Sequence, residues 1–408
     1  MTTPSPRKIL LLTASLGSGH LRAARAIEEA LLALDPHSRV ETLDIIPLIS
    51  AAFRLFQFQG YEFLIEHAPW VWRFLYQNSL FKDRKFAAPQ FLLEHGNGRL
   101  VEQMTQFLPD TIVSTQINCH ELAHIVSRRW PTRTRIISVV TDYDIHPVWS
   151  KSPADLLVVA HRDFVEKLIS LGIDSSKIEA FGIPISQSFR RSLGRQALVA
   201  RFGLQSGVPT LLVMGGSVGF GELDQVIQGL MKSSRPFQVL AVAGRNEEAL
   251  ARLHRLKEKL DTLLGQQRGE KHRSLQVFGF VDFIPELMTV ADCFVTKPGG
   301  LATTEALTKG LPMVFVNPIP GHEEKNAGFF VRYGVALAVS SLAQLEPAVN
   351  ALFEDGRARL LGMQRATHIL SKPDAALRLA ERILGKERAP VEMGGEMLIT
   401  GAQATVPR

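Results

Sequence analysis

Two stretches of this chain carry residue types and spacings suited to phosphate and sugar chemistry. The apolar run Cys293–Thr296 reads as a buried parallel strand, and it runs into Lys297-Pro298-Gly299-Gly300, a tight turn. Thr303–Lys309 then reads as a short helix. A strand ending in a glycine turn that opens a helix aims free backbone N–H groups and the positive end of a helix dipole at one spot, and that geometry binds diphosphate. Glu305 falls inside the helix, where its carboxylate can accept from a pair of ribose hydroxyls. A second predicted strand, Met313–Val316, delivers Pro318-Ile319-Pro320-Gly321-His322-Glu323-Glu324, again a turn leading into a helix. Glycine spacing alone fits an ordinary βαβ unit. Two polar turn-to-helix junctions on successive strands should open at the same sheet edge, which is what singles them out.

The start of the chain repeats the logic. Lys8–Thr13 is a predicted strand, Ala14-Ser15-Leu16-Gly17-Ser18-Gly19-His20 a glycine loop, and Arg22–Leu34 an alanine-rich helix. The unit invites a dinucleotide-binding reading with Asp44 as the ribose acid. Two details weigh against it: Arg22 stands where the third glycine of that fingerprint belongs, and a histidine occupies the mouth of the helix. A helix N-terminus lowers a histidine's pKa and favours the neutral, basic imidazole. Asp142 follows another predicted strand, Arg135–Val140, and so lies at the C-terminal sheet edge where open α/β sheets bind ligands. As a turn or helix cap it would have a purely structural role. In the second half, strand Thr210–Met214 feeds a third glycine loop, Gly215–Gly221, where glycines let backbone approach a diphosphate and Ser217 can donate a hydrogen bond.

These elements fit an α/β chain of two domains. At 408 residues the chain exceeds one comfortable core. We expect an N-terminal domain over 1–186, a C-terminal domain over 187–385 opening with a basic linker helix Gln187–Phe202, and a weakly patterned tail, 386–408. The hydrophobic content of 46% and mean hydropathy of +0.07 are high, yet no apolar run is long enough to span a bilayer. Met1–Arg7 lacks the apolar core of a signal peptide. Cys119 and Cys293 stand one to a domain, as in a reduced cytoplasmic protein. A net charge of +6 and pI near 9.4 point to anionic partners, and the absence of RNA-binding, zinc or basic heptad signatures argues against nucleic acid.

Between Phe53 and Phe91 aromatic residues concentrate, Trp70 and Trp72 among them, with Lys82, Arg84 and Lys85 interleaved. Helices packed on the sheet would have this pattern. So would a membrane-interface segment, where Trp and Tyr sit at headgroup level and basic residues meet anionic lipid.

The runs PGGLATTEAL and GLPMVFVNPIPGHEEKNA resemble the nucleotide-sugar site of GT-B glycosyltransferases, in which two Rossmann-like domains face each other across a cleft. The branch most similar contains monogalactosyldiacylglycerol synthase and the processive diacylglycerol glucosyltransferases. The lipid-linked muramyl-peptide N-acetylglucosaminyltransferase is more distant kin. The resemblance spans roughly residues 8 to 385. It implies that GSGHLRAARAI is the acceptor-site loop, with Gly17 and Gly19 at the acceptor and His20 the leading catalytic residue. TDYDIHPVW resembles the acceptor-side segment, which makes Asp142 a second candidate base or the partner that orients His20; Trp149 would touch lipid or sugar. Gly216 and Ser217 would meet the nucleotide, Val281 the uracil, and Glu323 and Glu324 the sugar or ribose hydroxyls. The aromatic, basic region would face the bilayer, and the last helix would cross back onto the first domain. A glutamine is usual where this chain has His322, so the donor hexose, glucose or galactose, stays open.

The implied reaction moves a hexose from UDP-glucose or UDP-galactose to a diacylglycerol-type lipid on an anionic membrane surface, at the cytoplasmic face of the cell membrane. No DxD-like metal pair follows a strand in the right context. We therefore expect no metal and no cofactor beyond the UDP-sugar co-substrate, with Gly299, Gly300, Leu301 and Ala302 stabilising the leaving diphosphate and His20 or Asp142 taking the acceptor's proton. Two alternatives remain: a soluble nucleotide-sugar isomerase on the same fold, and a nicotinamide oxidoreductase, which Arg22 disfavours.

Overall fold

Strands made almost wholly of Ile, Leu, Val and Phe are buried on both faces, and such strands pair in parallel beneath helices on either side. The computed structural model describes residues 6–15, 18–55, 97–150, 152–215, 223–266, 274–318 and 321–386. The first sheet holds β1 (Lys8–Thr13), β2 (Arg39–Asp44), β3 (Thr111–Ser114), β4 (Arg135–Val139), β5 (Leu156–Val158) and β6 (Ile178–Glu179). The second holds β7 (Thr210–Met214), β8 (Gln238–Val242), β9 (Ser274–Phe278), β10 (Cys293–Thr296), β11 (Met313–Val316) and β12 (Ala336–Val339). Every pairing is parallel, in the orders β2-β1-β3-β4-β5-β6 and β12-β11-β10-β7-β8-β9. The two-domain α/β architecture expected from the sequence is present.

Each order reverses direction once. In the first sheet the reversal lies between β1 and β3, in the second between β7 and β10. Loops leaving the C-terminal ends of such strands diverge to opposite faces and open a crevice between them. The crevice of the first sheet therefore receives the loop before His20 and the end of β3. The crevice of the second receives Lys297 to Gly300.

The first helix, Gly19–Leu34, buries Ala23, Ala24, Ile27, Ala30 and Leu31, a stripe at three- and four-residue spacing. That stripe packs not only on β1 but on the last helix, Ala375–Leu384, whose Ala376, Leu379, Ala380 and Ile383 share one core with Ile9, Leu11 and Ile27. Arginines of the first domain bind the carbonyls at the end of that helix: Arg7 Nη1 donates to Ile383 O (2.9 Å) and Arg135 Nη1 to Arg382 O (3.3 Å).

Two expectations change. The linker is not one helix but a 3₁₀ turn, Gln187–Arg190, and a helix, Arg195–Arg201: the backbone turns extended at Arg191 (φ −64°, ψ 130°) and winds again only after Gly194 (φ −65°, ψ 99°). β12 was not anticipated; its four residues are apolar, but two are alanine, a weak strand former, and at the sheet edge Leu337 and Ala338 are left partly or fully exposed. Among the described residues no helix is long and apolar enough to cross a membrane. Most of the aromatic, basic stretch lies on residues 56–96, outside the described residues, as does the tail beyond 386.

Leu379 is fully buried against a core that, apart from its own helix, is built from residues more than 180 positions earlier. Leu379→Ala should therefore destabilise the first domain by about 2–5 kcal/mol, measured by urea denaturation. A loss under about 1 kcal/mol would mean the last helix is dispensable to that core.

Candidate active site

His20 is the second residue of the first helix, and its position follows from the β1–β3 crevice. Its Nδ1 lies 2.8 Å from the Thr115 carbonyl oxygen and 2.9 Å from Thr141 Oγ1. A carbonyl only accepts, so Nδ1 carries the proton and Nε2 keeps its lone pair. Thr115 Oγ1 also donates to the His20 carbonyl at 3.1 Å, which pins the backbone as well as the ring. Burial pulls the imidazole pKa below its ordinary value, against the Asp142 charge and the Thr115 bond; His322 nearby adds a downward push.

Asp142 was expected either as a second base or as the partner that orients His20, and it does not hold Nδ1 of that ring. Instead Thr115 and Thr141 hold Nδ1, and Asp142 Oδ1 accepts from Asn326 Nδ2 across the cleft at 3.2 Å. The reason is local: the end of β3 and the residue just past β4 lie side by side at the crevice, so their carbonyl and hydroxyl reach the ring first. Asp142 acts on His20 through its charge. Asp44, the ribose acid of the dinucleotide reading, accepts instead from the Ser15 and Ile46 backbone N–H groups, both at 3.1 Å, and so braces the glycine loop.

Asn326 bonds across the two halves at the centre of the cleft. It has no exposed surface. Its Oδ1 accepts from Tyr143 N at 2.9 Å, and its Nδ2 donates to Asp142 and to the Pro298 carbonyl at 3.0 Å. Tyr143 reaches in the other direction, its hydroxyl 2.9 Å from Thr304 Oγ1 and its ring 4.4 Å from that of Phe330.

The glycine-turn helix spans Gly300–Thr308, with Gly299 as its N-cap and no side chain capping its first turn. A Cβ at Gly300 would collide with the Thr141 carbonyl, so glycine is required for the domains to approach. One built at Gly299 would meet nothing within 4 Å, so that face opens into the cleft. Leu301 is buried and lies 3.6 Å from where a Gly19 Cβ would stand. The starts of two helices thus face each other. Ala302, partly buried, follows on the same turn.

Glu305 is 2% exposed, and Arg22 of the first helix donates to its Oε1 across the domain boundary. Gly321 begins the helix His322–Arg332 at φ 99°, a left-handed conformation that favours glycine. Glu324 Oε2 accepts from the Gly321 N–H at 3.2 Å, so one of its oxygens caps this helix rather than facing the cleft. Glu323 is buried, and His322 lies half-buried near His20. Val281 packs partly buried against the core, while its neighbour Phe280 is exposed with the Arg245 guanidinium 4.5 Å over its ring. Trp149, expected at the acceptor, is packed into the core with its ring 6.1 Å from His120. Gly17, Gly216 and Ser217 lie outside the described residues.

Sequence reasoning gave no role to Thr115, Thr141, Asn326 or the Arg22 side chain. Asn326 carried a signal: it stands on the buried face of its helix, three or four residues from Glu323, Phe329 and Phe330. The threonines carried none, since a backbone carbonyl and a common hydroxyl have no sequence mark.

Two six-stranded Rossmann-like sheets whose crevices meet at one histidine and one glycine-turn helix define the GT-B fold of nucleotide-sugar enzymes. Two glycosyltransferase family models match the chain: residues 20–185 match that of monogalactosyldiacylglycerol (MGDG) synthase, and residues 210–379 that of the glycosyltransferase family 28 C-terminal domain. It is 29% identical over 399 residues to the processive diacylglycerol beta-glucosyltransferase of Bacillus subtilis, covering 94% of this chain and 98% of that one. It is 28% identical over 390 residues to the protein of that name from Bacillus cereus, covering 94% of each. Among solved structures it is similar to Acinetobacter baumannii MurG (TM-score 0.58, 16% identity, 93% of this chain and 100% of that chain). It is also similar to Anabaena HepE in complex with UDP-glucose (TM-score 0.54, 16% identity, 93% and 99%). These matches leave the isomerase and oxidoreductase alternatives without support.

The two glycines of the turn should separate experimentally. Gly300→Ala should cost about 1–3 kcal/mol in urea denaturation, the usual penalty for overpacking, while Gly299→Ala should stay within about 0.5 kcal/mol of the parent. Equal losses would mean that the Thr141 contact does not constrain the cleft.

Proposed function

We propose that this glycosyltransferase moves a glucose or galactose from its UDP-sugar to a diacylglycerol-type lipid at an anionic membrane surface, the inner face of the cell membrane, by a single inverting displacement that needs no metal. The observation that carries the reading is His20: a half-buried imidazole with Nδ1 spent on Thr115 leaves Nε2 as a proton acceptor at the crevice. Opposite it stands a helix start that no side chain caps.

In this mechanism the acceptor hydroxyl gives its proton to His20 Nε2 as its oxygen bonds to the anomeric carbon, and the bond to the UDP oxygen breaks. Positive charge develops on the sugar and negative charge on the departing diphosphate. Backbone N–H groups at Gly299–Ala302 and the helix dipole stabilise the latter. Asp142, held by Asn326, stabilises the imidazolium once it forms. Glu305 takes the ribose hydroxyls, Val281 packs on the uracil, and His322 and Glu323 meet the sugar. The lipid acceptor is carried over from the names of the Bacillus relatives, and the UDP-sugar from the HepE complex.

The direct test is to incubate the protein with labelled UDP-glucose or UDP-galactose, with and without diacylglycerol vesicles, and identify the product. Turnover independent of diacylglycerol, or abolished by EDTA and restored by Mg²⁺ or Mn²⁺, would overturn the reading. Removal of a positioned base typically costs about 10²–10⁴ in rate, so His20→Ala should lose at least that in kcat while UDP affinity, on the other domain, holds. Asp142→Asn should fall less steeply.

The pH profile gives a further check. His20 must be neutral to accept a proton, and its pKa lies below the ordinary value. The acid limb of kcat/KM should therefore fall below about pH 6.5, with activity lost as pH drops through it. An acid limb above pH 7 would assign the base to another group.

A further inference from the structure

Arg22 stands on the first helix between Leu21 and the buried Ala23 and Ala24. Its guanidinium reaches out of its own domain and donates to Glu305 Oε1 in the other. Glu305 is 2% exposed, and its second oxygen, Oε2, is buried with no hydrogen-bond partner. An ionised carboxylate accepts several hydrogen bonds, and leaving a buried oxygen unbonded is costly. One oxygen of this carboxylate is held; the other is aimed and unpaired. Burial lowers the Arg22 pKa to about 10, which leaves it charged at neutral pH.

We propose that Arg22 is a positioning residue for nucleotide recognition: from the first domain it fixes the Glu305 carboxylate, ionised and in one rotamer, so that Oε2 accepts a hydrogen bond from a ribose hydroxyl of the UDP-sugar. The inference rests on the reading of Glu305 as the ribose ligand, and it adds that ribose recognition is shared between domains. A hydroxyl is the fitting partner because a carboxylate offers only acceptors, and the neighbouring diphosphate would be repelled. The guanidinium fork suits this task better than an ammonium would, since its planar donors set the plane of the carboxylate they bind.

The test uses the full chain and calorimetric titration with UDP, 2′-deoxy-UDP and 3′-deoxy-UDP. The readout is the larger of the two affinity ratios, deoxy over ribo. General electrostatic attraction by Arg22 cancels in that ratio, whereas ribose recognition does not. In the parent the ratio should be about tenfold or more, one hydrogen bond to a charged group. Arg22→Met and Arg22→Gln should each bring it below about twofold, as should Glu305→Gln; the glutamine variant, polar but two bonds too short to bring a donor to Glu305, serves if the methionine variant does not fold. A parental ratio retained in the Arg22 variants but lost in Glu305→Gln overturns the positioning role and leaves Arg22 a link between domains. A ratio unchanged in Glu305→Gln overturns the ribose assignment itself, and the inference with it.

Discussion

Nothing larger than a hydrogen atom fits on residue 300 beneath the Thr141 carbonyl, and the shape of the cleft depends on that contact. It brings the loop after β4, which also holds the His20 ring, onto the start of the glycine-turn helix. Once these two touch, the rest of the interface has little freedom. Asn326 bridges Asp142, Tyr143 and Pro298 within the same small volume. Such a buried amide is fully used, and a fully bonded polar network specifies one arrangement where an apolar contact would allow several.

Around that polar centre the interface is apolar and aromatic. Tyr143, Phe329 and Phe330 pack ring on ring, and one continuous core runs from Val140 and Phe164 of the first domain to Leu301 and Phe315 of the second. Charges occupy the rim. Asp144 takes Lys167 from its own domain (2.7 Å) and Lys325 from the other (3.0 Å), and Asp163 takes Arg332 and the Tyr333 hydroxyl, both at 2.7 Å. Rim pairs of this kind contribute little stability individually but select orientation.

The fold was largely legible in the sequence because its strands are buried on both faces. Runs such as KILLLT and CFVT have no alternative to a parallel sheet, and the glycine loops after them marked the ends that matter. β12 escaped because two of its four residues are alanine, a weak strand former, and the linker breaks at Arg191, whose extended backbone has no mark in the sequence. At the site, the residues singled out for their chemistry, His20, Asp142, Glu305 and the paired glycines, lie where the two sheets' crevices meet. What the sequence did not disclose was who bonds to whom. Backbone carbonyls such as Thr115 O compete with carboxylates for a histidine, and which wins depends on strand order. Trp149 is packed in the core for a related reason: an aromatic beside a functional loop packs wherever the core has room.

The last helix has a consequence for how the chain is made. Its leucines and alanines complete a core whose other walls are the first strand and first helix. A ribosome therefore releases most of the first domain long before residues 375–384 exist to cover it. Until then the surface formed by Ala24, Ile27 and Leu31 has no lid, and the second domain must fold while its predecessor waits. Contacts of such long sequence separation form late and slowly, and an uncovered apolar face is what chaperones recognise and what aggregates. Nascent chains stalled before residue 375 should thus be the most chaperone-dependent stage of this protein's life.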